Sequence, residues 1–169
     1  MTASAPTLEP CFILRLYISN ENITHIDDIK SGPSRMIVTV THGRLQGYGV
    51  TADVLPGGSD WILHDPKTDT AHIDVRTQAH TNTTPNHAFY IHYTGIMQLD
   101  DKIKKFLQGS PDAVTTDFGE HYWFQTPLFE TSHPDLKWIE QAFFVGRGRL
   151  VVEKGLPSAV EYQICRVGN

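Results

Sequence analysis

Residue types that move protons recur in this chain at the spacing of β-strands. In the run His72-Ile73-Asp74-Val75-Arg76-Thr77-Gln78, alternation puts His72, Asp74, Arg76 and Gln78 on one face and Ile73 and Val75 on the other. Tyr90, His92 and Thr94 share a face of the next such run, opposite Phe89, Ile91 and Tyr93. Tyr122, Phe124 and Thr126 share a third, opposite Trp123 and Gln125. Asp60-Trp61 follows directly on the Gly57-Gly58 turn. If the polar faces turn inward, Asp60, Asp74, Arg76, Tyr90, His92 and Tyr122 converge on one pocket. There Asp74 or Asp60 abstracts a proton, Arg76 holds the developing oxyanion, and His92 or Tyr122 returns the proton. Trp61, Tyr90, Phe124, Thr126, Glu130 and Trp138 are the candidate substrate contacts. The opposite orientation leaves the polar faces to solvent while Ile73, Val75, Phe89 and Ile91 fill the core. Asp60 also has two readings: a turn-fixing acceptor of backbone N–H groups, or a base whose pKa is raised beside an indole. Glu130 is either a helix-entry carboxylate or a pocket acid.

Other chemistries find less support. The chain has 9 histidines but no compact His-x-His, Cys-x-x-Cys or His-Glu-x-x-His signature, so no metal is expected. There is no Gly-x-Ser-x-Gly elbow, and Cys11 and Cys165 read as small buried hydrophobes. Gly146-Arg147-Gly148-Arg149 precedes no helix and is not a phosphate loop. No nicotinamide or flavin fingerprint occurs, and no cofactor is expected. A formal net charge of -5 argues against nucleic acid, and Lys102, Lys104 and Lys105 read as a solvated helix face. No run approaches the roughly 18 apolar residues of a membrane helix. Met1–Pro10 lacks the features of a signal peptide, so a soluble, cytoplasmic protein is expected.

The elements that must position these groups are mostly strands. With 169 residues, one domain with one core is expected: a flexible tail over 1–10 and a single unit over 11–169. Cys11–Ser19, Met36–Val40, Asp60–His64, His72–His80, Ala88–Met97, Tyr122–Leu128, Phe143–Glu153 and Val160–Val167 read as strands. Gly43, Gly47 and Gly49 interrupt a further strand-like run to Leu55 and suggest bends. A helix is expected from Leu99 to Gln108, and a short one after Ser132-His133-Pro134-Asp135. This pattern predicts an all-β protein, a single closed antiparallel β-barrel of about eight or nine strands with one or two short helices.

The ordered set Thr41-His42-Gly43-Arg44, Leu55-Pro56-Gly57-Gly58-Ser59-Asp60-Trp61, Asp74-Val75-Arg76 and Trp123-Phe124-Gln125-Thr126-Pro127-Leu128-Phe129-Glu130-Thr131 resembles domain-of-unknown-function family 3237. Trp138 and Phe143-Phe144-Val145-Gly146 extend the similarity, which spans roughly Leu8 to Val167. The resemblance implies a closed antiparallel barrel, often paired as a homodimer. Fungal members beside secondary-metabolite genes imply a cofactor-free isomerase, cyclase or lyase acting on a small polyketide-like substrate. The chain departs from the family pattern at Gln125 and Thr77, where Arg and Tyr commonly stand, and its Thr81–His87 loop is longer. The alternative function is a noncatalytic, lipocalin-like binding barrel. A third is a structural or assembly subunit.

Overall fold

Alternation decides which way each strand faces, and the core follows from it. The computed structural model describes residues 5–21, 23–30, 32, 34–154 and 156–169. In chain order the elements are β1 (Thr7–Ile18), β2 (Thr24–Asp27), β3 (Ser34–Gly47), β4 (Val50–Val54), β5 (Gly58–Asp65), β6 (Thr70–Thr81) and β7 (Ala88–Gln98). Helix α1 (Asp101–Leu107), β8 (Trp123–Thr131), a 3-10 helix (Pro134–Gln141), β9 (Phe144–Glu153) and β10 (Leu156–Gly168) complete it. Among the described residues the protein is an all-β antiparallel sheet with two short helices.

The pairings run from β1 through β10, β9, β8, β7 and β6, then through β4 and β5 to β3. Strand β3 pairs again with β1, which gives the sheet a barrel-like course. The thinnest seam lies between β8 and β9, which pair at Phe124–Arg147 and Gln125–Gly146. Gly43, expected to interrupt a strand, instead lies within β3 where β1 crosses it closely. A Cβ at Gly43 would sit 2.1 Å from the Arg15 carbonyl oxygen, so no other residue fits that crossing. Two boundaries differ from the sequence reading. Thr7–Pro10, placed in the tail, are the start of β1 and pair with β10, whereas residues 1–4 lie outside the described residues. The short strand β2 was not anticipated; its four residues are all exposed and carry no buried face to betray it.

The inner faces bury Phe12, Leu14 and Leu16 of β1, Ile73 and Val75 of β6, and Phe89, Ile91 and Tyr93 of β7. The interior then divides into two halves. One is packed solid by Phe12, Phe129 and Phe144, whose ring centroids lie 5.3 to 6.3 Å apart. The other encloses a cavity of about 40 Å³ whose cover is α1, through Ile103, Phe106 and Leu107.

Helix α1 is fastened at its start. Asp100 caps it by accepting the Ile103 N–H (3.0 Å), and its other oxygen lies 2.5 Å from Nδ1 of buried His121. The Thr116 hydroxyl accepts the Leu150 N–H (3.0 Å) and lies 3.0 Å from His121 Nε2. That network fits one tautomer, with Thr116 donating to Nε2 and Nδ1–H donating to Asp100. Burial alone would raise the Asp100 pKa, but the Ile103 N–H and the His121 ring hold it below the usual value.

Candidate functional site

The strand faces resolve the choice that alternation left open. His72, Arg76, Tyr90, Thr94, Tyr122, Phe124 and Thr126 are exposed, and Asp74 and His92 are half-buried, while Ile73, Val75, Phe89, Ile91 and Tyr93 are buried. The expected inward pocket of six residues is therefore corrected: of these, Asp60 alone faces the interior. The physical reason is that the apolar sets on the opposite faces of β6, β7 and β8 gain far more by leaving water. The same finding puts Phe89, Ile91 and Tyr93 in the core and leaves them no part of an outer apolar face.

Asp60 enters the core because of where it sits on β5. The β5–β6 pairing breaks between Asp60–Val75 and Leu63–His72 with no change of register. In that gap Asp60 Oδ1 accepts the Asp74 N–H at 3.3 Å. The residue as a whole keeps some exposure, yet its carboxyl is desolvated in the cavity wall beside Val38, Ile62 and Val75. Burial pushes its pKa up to about 7, with the Asp74 N–H working against the rise and the Asp74 charge adding to it.

Two tyrosines share this cavity. Tyr93 and Tyr162 are fully buried with ring centroids 5.1 Å apart, edge to face, and the Trp123 indole lies 5.3 Å from Tyr162. Burial pushes both phenols well above their ordinary pKa, and the Asp60 charge adds to this, so both stay protonated donors. The Trp123 Nε1–H is buried with no hydrogen-bond partner among the described residues. The buried Tyr93 hydroxyl makes no bond of good geometry there, interacting only loosely with the Tyr162 phenol. Gly148 makes room for the indole: a Cβ there would lie 2.3 Å from Trp123 Cδ2. Sequence reasoning missed Tyr93, Tyr162 and Trp123. The available signal was a phenol, Tyr93, on an otherwise apolar strand face, since a buried tyrosine needs something for its hydroxyl to meet.

The remaining candidates occupy the outer surface. Asp74 Oδ1 lies 3.0 Å from His92 Nε2 and 3.4 Å from an Arg76 terminal nitrogen. Trp61, Asp74, Tyr122, Phe124 and Thr126 line an open groove of about 600 Å³. Tyr90 sits 6.5 Å from the His92 ring and pairs in register with exposed Glu130. Trp138 lies apart on the 3-10 helix, packed against Tyr48 (4.9 Å) and Phe144 (6.2 Å), with Arg166 over its ring. Cys11 and Cys165, expected to be buried, are half-buried free thiols. No helix among the described residues is long and apolar enough to cross a membrane.

An all-β antiparallel sheet of barrel-like course defines the fold class. A family model described as "Protein of unknown function (DUF3237)" matches residues 6–167, and the chain belongs to this family. A UPF0311 protein of Rhodopseudomonas palustris is 27% identical over 145 residues, covering 83% of this chain and 88% of that one. Its crystal structure superimposes with a TM-score of 0.80 at 22% identity, over 98% of this chain and 99% of that one, and shares the fold. The PR-toxin biosynthesis cluster protein 7 of Penicillium roqueforti is 28% identical over 106 residues, 62% of this chain and 55% of its own length. A crystal structure described as an enzyme from Penicillium herquei has the same fold, with a TM-score of 0.56 at 15% identity over 97% of this chain and 98% of that one.

Proposed function

We propose that this chain is a cofactor-independent acid–base enzyme that isomerises, cyclises or dehydrates a neutral carbonyl compound inside the barrel-like sheet. The observation that carries the reading is Asp60, a carboxyl with a pKa of about 7 in an apolar cavity that also holds two phenols. Near neutral pH such a group is partly ionised and partly protonated, as a general base that must also return its proton requires. Asp60 takes a proton from the carbon next to the substrate carbonyl, and the electron pair moves onto the carbonyl oxygen. Tyr93 and Tyr162, rather than the outward-facing Arg76, donate hydrogen bonds to that oxygen. Return of the proton to a different carbon gives an isomer. Delivery of the Asp60 proton to a departing β-hydroxyl breaks the C–O bond and releases water. Attack of the enolate carbon on a second carbonyl of the substrate, whose oxygen takes the proton, closes a ring. The described cavity wall contains no Lys, Arg or His, which favours an uncharged substrate. A relative from a fungal toxin-biosynthesis cluster and a like-folded protein described as an enzyme support a secondary-metabolite intermediate of polyketide type. At about 40 Å³ the cavity takes only a few waters, so substrate entry requires α1 to withdraw Ile103, Phe106 and Leu107.

A probe of this chemistry is 2-tetralone in D2O, with exchange of its C1 protons followed by NMR. The wild-type protein accelerates exchange, and Asp60→Asn removes about 10²- to 10⁴-fold of the acceleration. Binding of 2-tetralone with no exchange above buffer favours the noncatalytic carrier instead. The outer groove supports a separate role. Exposed Trp61, Ile96, Tyr122 and Phe124 form an aromatic-rich face suited to a second copy of the chain. Light scattering then gives twice the 19.0 kDa chain mass, and Trp61→Glu with Phe124→Glu returns the monomer.

A further inference from the structure

Of the buried polar groups, Gln125 is the least provided for. Its side chain is 2% exposed, and neither its oxygen nor its nitrogen makes a hydrogen bond to any described residue. A primary amide offers two donors and two lone pairs, so the whole capacity of this one stands unused. Burying it so destabilises a fold, and such a group calls for a partner that the folded chain does not supply.

The surroundings of Gln125 are built to leave it room. On β9, a Cβ at Gly146 would lie 2.8 Å from its Nε2 and 2.9 Å from its Cγ, so the side chain lies across that glycine. On β7, Gly95 stands opposite Gln125, and a Cβ there would meet Gln125 Cα and Cβ at 3.0 Å. The next inward residues on either side of Gly95 are Tyr93 and Met97, and both line the Asp60 cavity. Gly95 thus leaves a space between two cavity-lining residues, with Gln125 beside it. Gly95 and Gln125 themselves border the outer groove, so the inward-facing amide lies between the groove and the cavity. The next inward residue on β8 is Trp123, whose unpartnered Nε1–H belongs to the same wall.

We propose that Gln125 is the recognition residue of the interior site. Its amide binds a substrate fragment presenting an acceptor and a donor side by side, as a lactam, a hydroxy-ketone or an enolised dicarbonyl does. This rests on the interior reading of the site. The amide is a positioning group and takes no part in the proton transfer, which belongs to Asp60. A site that pairs both partners of such a fragment discriminates strongly against an analogue lacking one of them.

The test compares two probes of one shape: 3,4-dihydro-2(1H)-quinolinone, with a lactam N–H beside its carbonyl, and 2-tetralone, with a methylene in that place. By titration calorimetry the wild type binds the lactam at least about 10-fold more tightly, roughly the net worth of one hydrogen bond. Gln125→Met, of similar length and without polar atoms, binds both probes alike and melts at a higher temperature than the wild type. Equal wild-type affinities, or a lactam preference that survives Gln125→Met, overturn the proposal. A lower melting temperature for Gln125→Met also overturns it, because the amide is then a satisfied structural group. If the preference behaves as stated while Asp60→Asn leaves 2-tetralone exchange unchanged, recognition by Gln125 stands and the catalytic reading falls.

Discussion

The two faces of β5 and β6 hold the same kind of group in opposite circumstances. Asp60 faces inward, desolvated, with one backbone N–H and two phenols for company; Asp74 faces outward, half-exposed, beside His92 and Arg76. The outer cluster has more of the residue types associated with catalysis. The inner one holds a carboxyl whose proton affinity is raised by the loss of water. What separates the two aspartates is therefore the side of the sheet on which the hydrophobic effect has put them.

The largest effect expected from this contrast is on rate. Asp60→Asn slows 2-tetralone exchange by about 10²- to 10⁴-fold, whereas Asp74→Asn stays within about threefold of the wild type. A large loss in Asp74→Asn alone would move the chemistry to the outer groove.

Next comes the dependence of stability on pH. The folded-state pKa of Asp60 is raised to about 7 from 3.8, so the folded chain binds more protons than the unfolded one between those values. Stability from this group is full below pH 4 and is lost as pH rises toward and through 7, by about 4 kcal/mol at most. Denaturant melts of the wild type and Asp60→Asn, compared from pH 4 to 8, should show the variant lacking that decline.

Packing effects are smaller. Gly148→Ala forces a Cβ to within 2.3 Å of the Trp123 ring and should cost about 1–3 kcal/mol in denaturant unfolding. Smallest is Arg76→Gln, which removes a half-exposed ion pair at 3.4 Å and should change stability by less than about 1 kcal/mol. A larger loss would mean that the outer cluster is covered, as a homodimer would cover it.

Much of the sheet was legible because period-two alternation is strong in β1, β6, β7 and β8. Phe12, Leu14 and Leu16 could be assigned to one face with no other information. The direction of those faces was harder to read. His72, Asp74 and Arg76 on one side of β6 look like chemistry, while Ile73 and Val75 on the other look like core, and the pattern is the same for a polar pocket and a solvated surface. The site was half legible. Asp60 was singled out by its place after a glycine turn, but its partners Tyr93 and Tyr162 come from strands whose apolar runs hid them. Gln125 attracted notice only as a departure from the family pattern. That its amide has no partner depends on Gly95 and Gly146, which come beside it only through the sheet register.

The central claim, that the working carboxyl is Asp60 inside the sheet, is tested most directly by titrating that group itself. In protein labelled with ¹³C at the aspartate carboxyl, the resonance missing from Asp60→Asn should titrate with a midpoint of about 7 and shift when 2-tetralone is added. A midpoint at the ordinary aspartate value of 3.8, unmoved by the ketone, would contradict the account.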